Sequence, residues 1–286
     1  MEDRNDIQEI VQETEKLFSG AKVNWSQSKE SVFDQRFAGL MDEPKTKVLW
    51  PRRRILQLSV AASIILAVAL GTFSMVYTKT VYVPAGQHLT AQLPDGSTVE
   101  MNAETTLKFH PYSWFYQRKV EFEGEGFFSV KKGKKFTVES LLGETQVLGT
   151  SFNIFARGDN YKVFCKTGKV RVSNVAGESV LLSPNQKVMI SAGVVSQPIS
   201  VSEPENILSW RNDKFVFDAA PFNEVLKEIE RQYGVSITTT EPLSNTISIS
   251  FKKVPDVEKT LSIVCKPLGY SFVKKSLNHY EIIKNN

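Results

Sequence analysis

The side chains that most often carry out catalysis or bind metals are few in this chain and are far apart. The three histidines, His88, His110 and His279, lack the spacing that metal sites show. The 286 residues contain no His-Glu-x-x-His sequence, no glycine-rich phosphate loop and no closely spaced pair of cysteines. We therefore expect no cofactor, no metal site and no enzyme that acts on a separate substrate.

Two other features could carry chemistry. Cys165 and Cys265 each lie in an apolar run. Because a free cysteine behaves as a small apolar residue, we expect two buried thiols, with a disulfide as the alternative. Lys131-Lys132-Gly133-Lys134-Lys135 is a basic run with a glycine at its centre. It predicts a solvated hairpin tip, with a polyanion site as the alternative.

The element that divides the chain is residues 55–77, an uncharged apolar stretch directly after Arg52-Arg53-Arg54. A helix of this length, at about 1.5 Å per residue, crosses a hydrocarbon core of about 30 Å. Lysine and arginine are concentrated just before this stretch, and only Lys79 follows closely after it. The positive-inside rule therefore predicts a single-pass membrane protein, with residues 1–54 in the cytoplasm and residues 78–286 outside it.

Residues 1–50 are predicted to form a short helical head in the cytoplasm. Residues 1–43 carry ten acidic and five basic side chains, which argues against nucleic-acid binding. Apolar residues repeat at helical spacing in two sets, and we expect them to dock into a soluble partner. A weakly folded hairpin or a membrane-surface helix is the alternative. The first set, before Gly20, is Ile7, Ile10, Val11, Thr14, Leu17 and Phe18, and the second, before Pro44, is Phe33, Phe37, Leu40 and Met41. The candidate contacts are Ile10, Leu17, Trp25, Phe33 and Phe37.

From Thr80 to about Val201, short alternating runs are separated by turn residues, which predicts an all-β sandwich or roll. Pro94-Asp95-Gly96-Ser97 has the chemistry of a hairpin turn. The turn follows a strand that ends at Leu93 and precedes one through Val99 and Met101. The other predicted strands are 120–122, 127–130, 136–139, 145–148, 152–155, 161–166, 169–173 and 188–191.

Residues 202–205 read as a linker, and residues 212–286 predict a small α+β domain of order β-α-β-β-α-β-β. We expect Asp218 to cap its first helix, with Pro221 in the first turn and Gly234 ending the helix. Asp256 is the expected cap of the second helix.

Several blocks in the β-rich part resemble the FecR family of membrane-spanning regulators, which are usually anti-sigma factors of cell-surface signalling. The C-terminal part is similar to the domain attached to many of these proteins, and to the small domain of secretins and TonB-dependent receptors. The blocks are Val83–Gln87, Leu93–Ser97, Met101–Ala103, Arg118 with Val120, Gly124–Val130, Phe136–Val138, Val147–Phe152 and Gly168–Val170. The residues that match the family motifs are Pro84, Gly86, Pro94, Asp95, Gly96, Ser97, Asn102, Gly124, Glu125, Gly149 and Thr150.

Two positions depart from the family pattern. Gly126 stands where the family usually has alanine or serine, and Pro184-Asn185-Gln186 stands where it usually has Pro-Gly-Gln. Because asparagine tolerates a positive φ, we expect the second turn to survive.

The resemblance also bears on Gly149-Thr150, because some family members resemble proteins that cleave themselves at such a pair. There the threonine hydroxyl attacks the preceding carbonyl, which requires a strained peptide. An ordinary turn is the alternative for this pair.

The resemblance implies a multi-domain membrane protein: a helical head at 1–50, a transmembrane helix at 55–77, a FecR-like periplasmic domain at 79–201 and an α+β domain at 212–286. The head would bind an ECF-type sigma factor, and the outer domains would contact the signalling domain of an outer-membrane TonB-dependent transporter. Two alternatives remain. One is a membrane-anchored periplasmic adaptor without sigma regulation. The other is a glycan-binding envelope module that uses Tyr112, Trp114, Phe115 and Tyr116.

Overall fold

The structure is a computed structural model that describes residues 3–20, 26, 28–37 and 52–285. It divides into two compact units, Met1–Ser63 and Ile64–Asn286. Along the chain, short N-terminal helices come first, one long apolar helix follows, and the remainder is mostly β-structure.

The described part of the head contains the two predicted helices, α1 (Asp3–Ser19) and α2 (Lys29–Phe37). Helix α1 ends before Gly20, as predicted. Leu40, Met41 and Pro44, which were expected to continue and end the second helix, lie outside the described residues.

The long apolar helix α3 (Arg52–Val76) begins three residues before the predicted start and ends one residue before the predicted end. Its segment Arg53–Val76 has a mean hydropathy of 2.1, and it is long and apolar enough to cross a membrane. No residue in the most apolar 18-residue stretch of this helix is buried. Its side chains therefore make little contact with the rest of the protein.

The β-rich part follows directly and contains fourteen strands. They are β1 (Lys79–Val83), β2 (Leu89–Gln92), β3 (Thr98–Met101), β4 (Thr105–Phe109), β5 (Arg118–Ser129), β6 (Phe136–Glu139), β7 (Gly143–Val147), β8 (Ser151–Arg157), β9 (Asn160–Thr167), β10 (Val170–Asn174), β11 (Ser179–Leu182), β12 (Gln186–Ser191), β13 (Val194–Val195) and β14 (Ile199–Ser200).

Strand β5 holds the two layers of this β-structure together. Its first half, up to Glu123, pairs with β4 and, in parallel, with β6, whereas its second half pairs with β3 and β8. One apolar core lies between the layers and includes Leu107 and Val138 from one layer and Phe128 and Ile154 from the other. A sandwich-like arrangement therefore forms from a single connected sheet.

The sequence predicted two strands, 120–122 and 127–130, where β5 is continuous. Gly124 lies where the strand passes from one layer to the other, with φ of +117°. A Cβ atom there would lie 2.7 Å from the Cα atom of Thr105, so glycine permits a close crossing instead of ending the strand. The expected turn at Asn185 is confirmed, with φ of +62°.

The C-terminal part has the predicted order β-α-β-β-α-β-β. Its elements are β15 (Lys214–Pro221), α5 (Phe222–Tyr233), β16 (Ser236–Thr239), β17 (Thr246–Lys252), α6 (Val257–Cys265), a 3₁₀ turn (Lys266–Leu268), β18 (Tyr270–Ser276) and β19 (His279–Lys284). The strands form two small sheets, β15-β17 and β16-β19-β18, instead of the single small sheet expected. The two helices and both sheets share one core, which includes Phe222, Leu261 and Ile282.

The helix ends agree in part with the sequence. Asp256 caps α6 by accepting a hydrogen bond from the backbone N–H of Glu258, and Gly234 ends α5, both as predicted. The prediction that Asp218 caps α5 was wrong. Strand β15 continues past Asp218 through a bulge, and Pro221 takes the cap position without a side-chain hydrogen bond.

The expected linker is also different in the structure. Pro204 begins a short helix, α4 (Pro204–Ile207), and a 3₁₀ helix (Ser209–Asn212) follows. Leu208 and Trp210 from this segment are buried against Phe127 and Phe164 of the β-rich part. The segment is therefore packed against the sheet. Pro204 indicated a linker in the sequence, but proline also suits the first turn of a helix.

Candidate functional site

The head presents apolar side chains at the surface of both of its described helices. On α1, Ile10 is 62% exposed and Leu17 is 75% exposed. On α2, Phe33 and Phe37 are exposed, and their ring centroids lie 4.9 Å apart. These four predicted contact residues are thus available to a partner, while Trp25 lies outside the described residues. Apolar side chains at this spacing on short helices suit docking into a groove.

Most of the residues matched to family motifs lie in two places, and Gly149 and Thr150 lie elsewhere. The first is the hairpin between β2 and β3, which Pro94 begins. The carboxylate of Asp95 accepts hydrogen bonds from the backbone N–H of Ser97 at 2.9 Å and from the guanidinium of Arg118. Burial alone would raise the pKa of Asp95, but these hydrogen bonds outweigh it and hold the pKa below its usual value. The hairpin is thus fixed to the start of β5 by a charged pair.

The second place is the junction between the β-rich part and helix α5. The turn after β1, which contains Pro84 and Gly86, lies against the end of this helix. The backbone N–H of Gly86 donates to the carbonyl of Arg231 at 2.8 Å. A carbonyl in the last turn of a helix has no partner within the helix, so this contact satisfies it from the other domain.

Asn102 makes the central contact of the junction. Its Oδ1 accepts a hydrogen bond from Nε2 of Gln232 at 2.7 Å, and its Nδ2 donates to Glu125 at 2.9 Å. The other carboxylate oxygen of Glu125 accepts from Nδ2 of Asn153 at 3.2 Å. Two residues of the family motifs, Asn102 and Glu125, therefore connect the β-rich part to α5 through one buried amide pair.

Two acidic and two basic side chains lie around this pair. On α5, Arg231 donates twice to Glu228, at 3.0 and 2.7 Å. On β8, Arg157 donates to the backbone carbonyls of Ala103, at 2.6 Å, and Glu104, at 3.0 Å. Burial, followed by the nearby charge of Glu228, raises the pKa of Glu125 to about 7. Burial and the charge of Arg231 lower the pKa of Arg157. The junction therefore holds charged side chains partly away from water, and they lose part of their hydration as a result.

The packed segment after the β-rich part adds a second set of contacts. Nε1 of Trp210 donates to Asn153 at 3.3 Å. The guanidinium of Arg211 pairs with both oxygens of Glu100 at 2.8 and 2.6 Å, and it lies 4.1 Å from the ring centroid of Phe127. A bidentate arginine over an aromatic ring holds a segment more firmly than a surface ion pair does.

An open cleft of about 550 Å³ lies beside these contacts. Its lining comes from both domains, and it combines aromatic side chains with both signs of charge. The residues with the clearest chemical character are Phe155, Arg157, Lys162, Trp210, Phe217, Glu228 and Arg231. Aromatic and arginine side chains of this kind are enriched in protein-binding surfaces.

Gly149 and Thr150 lie between β7 and β8. A Cβ atom on Gly149 would lie 2.5 Å from the Cα atom of Lys132, so the position has room only for glycine. The hydroxyl of Thr150 is buried and has no hydrogen-bond partner among the described residues. The pair therefore combines tight backbone packing with a free buried hydroxyl.

Sequence reasoning missed the residues across the junction from the motifs, namely Arg157, Trp210, Arg211, Glu228, Arg231 and Gln232. On α5 the spacing of Glu228, Arg231 and Gln232 places them on one polar face. That pattern is the same as that of an ordinary solvated face, so it offered no signal of burial.

The remaining candidates from the sequence are the two cysteines and a metal site. Cys165 and Cys265 are buried free thiols, and burial raises their pKa values to about 11 and about 12. The expected disulfide alternative is thereby excluded in this structure. In the described ranges, no group of three or more His, Cys, Asp or Glu side chains is placed to hold a metal ion.

Comparisons with known proteins agree with this geometry. The family model described as "FecR protein" matches residues 79–171, and the one described as "FecR, C-terminal" matches residues 214–282. Two crystal structures of a "putative anti-sigma factor" from Parabacteroides distasonis ATCC 8503 are similar, at 2.50 and 1.65 Å resolution. Their identities are 24% and 25%, each with a TM-score of 0.66, and each match covers 73% of this chain and 100% of the other. A comparison with curated proteins finds no match.

Proposed function

The chain belongs to the FecR family of anti-sigma factors, and on that premise we propose that it relays a signal across the inner membrane. The signal would come from an outer-membrane TonB-dependent transporter and end at an ECF-type sigma factor in the cytoplasm. Helix α3 would cross the membrane once, with the head in the cytoplasm and both larger domains in the periplasm.

The observation that carries the sigma-binding part is the exposed apolar surface of the head. Leu17 is 75% exposed and Phe33 is 52% exposed on helices that carry many acidic side chains. Exposing such apolar side chains to water is unfavourable. A partner with an apolar groove and a basic rim would bury them and remove this free-energy cost. Because the family is one of anti-sigma factors, we propose a sigma factor as this partner.

The junction supports the receiving part of the proposal. Gly86, Asn102 and Glu125 connect the β-rich part to α5 by hydrogen bonds, so a partner that moves one domain acts on both. We place the transporter's signalling domain at the cleft beside this junction, because aromatic residues and arginines from both domains line it. Binding there would change the geometry of the junction, and this change would pass to the position of the chain where it leads into α3.

Release of the sigma factor would follow either from a change in head exposure or from proteolysis of the span. Gly71 within α3 is a weak point of the helix, since glycine lowers helix stability by about 1 kcal/mol relative to alanine.

A truncation tests the relay. A chain that ends after Thr78 keeps the head and α3 but lacks both larger domains. We expect a reporter of sigma-dependent transcription to lose its response to inducing conditions in cells with this truncated chain. Equal reporter activity from full-length and truncated chains, under inducing and non-inducing conditions alike, would contradict the proposal.

We also retain self-cleavage at Gly149-Thr150 as a proposal, supported by the free buried hydroxyl of Thr150. The hydroxyl oxygen would attack the carbonyl carbon of Gly149, the peptide C–N bond would break with the proton passing to the new amine, and water would hydrolyse the resulting ester. Purified wild-type chain would then appear as two fragments and Thr150→Ala as one. If Thr150→Ala still gives two fragments, or if the wild-type chain stays whole, the pair is only a turn.

A further inference from the structure

The structure contains an exposed aromatic loop, residues 111–117, that joins β4 to β5. In this loop Phe115 is 81% exposed, Tyr116 is 88% exposed and Tyr112 is 58% exposed. Trp114, by contrast, is 2% exposed and packs edge-on against Phe109 and Phe136. The buried tryptophan holds the loop in place while its neighbours point away from the core.

The loop lies beside the end of the apolar helix. The ring centroid of Tyr112 is 6.1 Å from that of Phe73 and 5.3 Å from that of Tyr77. Directly before the loop, Nδ1 of His110 lies 3.1 Å from the carbonyl oxygen of Tyr77. Because Phe73 belongs to the segment that can span a membrane, Tyr112 reaches the depth of its last turn.

A basic rim borders the aromatic loop. Arg118, which directly follows the loop, donates to the backbone carbonyls of Lys131 and Lys134 at 2.9 and 2.6 Å. These contacts fix the run Lys131–Lys135 beside the loop with its lysine side chains exposed. The backbone N–H of Gly133 also donates to Leu148, which is 62% exposed. Exposed aromatic and aliphatic groups next to lysines form the pattern of a membrane interface.

We propose that the aromatic loop inserts into the headgroup region of the same bilayer that holds α3, with the lysines of residues 131–135 contacting lipid phosphates. Tyrosine suits this zone because its ring is apolar and its hydroxyl is polar, and phenylalanine suits the apolar side of the zone. The continuity of Tyr112 with Phe73 and Tyr77 identifies the bilayer, and not a separate partner, as the occupant. The loop gives the β-rich part a second membrane contact, which limits its rotation about the end of α3. This inference rests on the proposed membrane span.

Spin labels on the full-length chain in lipid nanodiscs test the proposal. Single cysteines replace Phe115, in the loop, and Val175, an 82% exposed residue in the turn between β10 and β11. A third replaces Val68 within α3. The native Cys165 and Cys265 are buried and do not compete for the label. Each site is measured for accessibility to oxygen, which partitions into lipid, and to a nickel chelate, which stays in water.

We expect oxygen accessibility to exceed nickel accessibility at Phe115→Cys and at Val68→Cys, with the order reversed at Val175→Cys. A water-like result at Phe115→Cys together with a lipid-like result at Val68→Cys would overturn the loop insertion and leave the span intact. A water-like result at Val68→Cys would overturn the span and the insertion together.

Discussion

The half-buried side chain of Glu125 at the domain junction gives the most specific prediction about stability. Burial and the neighbouring Glu228 raise its pKa from 4.5 to about 7. The folded protein therefore holds a proton there that the unfolded chain releases above its own, lower pKa. By linkage, this group's contribution to stability is greatest below about pH 4.5 and falls as the pH rises to about 7.

The size of the effect follows from the pKa difference. At about 1.36 kcal/mol per pKa unit, it amounts to at most ~3 kcal/mol. Because Glu125 lines the cleft and keeps some contact with water, screening reduces this to roughly 1–2 kcal/mol. Glu125→Gln removes the titration. It also leaves one of the two asparagine amides that donate to Glu125 without an acceptor, at a pH-independent cost of about 1–3 kcal/mol.

The assay is unfolding of the purified full-length chain in detergent, followed by tryptophan fluorescence across the range from about pH 5 to about pH 8. As the pH rises, we expect the wild type to lose roughly 1–2 kcal/mol of unfolding free energy relative to Glu125→Gln, because only the wild type titrates at this position. Glu123→Gln, on the exposed side of the same strand, is the control and should follow the wild type. A wild-type-to-Glu125→Gln difference that stays constant with pH would refute the reasoning.

Three further changes test the packing of the part of the chain that follows α3, by the same unfolding measurement. Trp210→Ala should cost about 3–5 kcal/mol, because it removes a buried ring and an indole hydrogen bond. Gly149→Ala should cost about 1–3 kcal/mol, because its Cβ atom would overlap Lys132. Asp95→Asn should weaken the pair with Arg118, and the loss relative to wild type should shrink as the pH falls below 3.8. Wild-type stability in any of the three would contradict the contact described for that residue.

The periodic segments of the chain were the parts that the sequence predicted best. Helix α5 has the predicted apolar stripe, ends at Gly234 and has nearly the expected length. The sequence showed this because the side chains on the buried face of a helix recur at helical spacing. The strands around the Pro94–Ser97 hairpin were also predicted, since the turn residues there act through local backbone geometry. The error at Asp218 arose because aspartate often begins a helix, whereas here the strand pairing of β15 continues past it. The split of β5 into two predicted strands missed the tertiary packing at Gly124, where the strand passes from one layer to the other.

The junction could not be predicted in the same way. Asn102 and Glu125 were identified by their resemblance to family motifs, but their partner Gln232 lies far along the chain. No local pattern distinguishes a glutamine that faces water from one that meets an asparagine of another domain. The predicted contact residues of the head differ again, because the partner that we propose to bury Phe33 and Phe37 is a separate protein.

The central claim is that the head binds a sigma factor through its apolar surface, and co-purification tests it most directly. The full-length chain is captured in detergent from cells that also produce the ECF-type sigma factor of the same organism. We predict that the sigma factor is retained by the wild type and by the control Ser31→Ala/Gln35→Ala, which leaves the apolar and acidic side chains in place, and lost with Phe33→Ala/Phe37→Ala on the same helix. Equal retention by the phenylalanine variant, or no retention by the wild type, would contradict the account and favour a membrane-anchored adaptor.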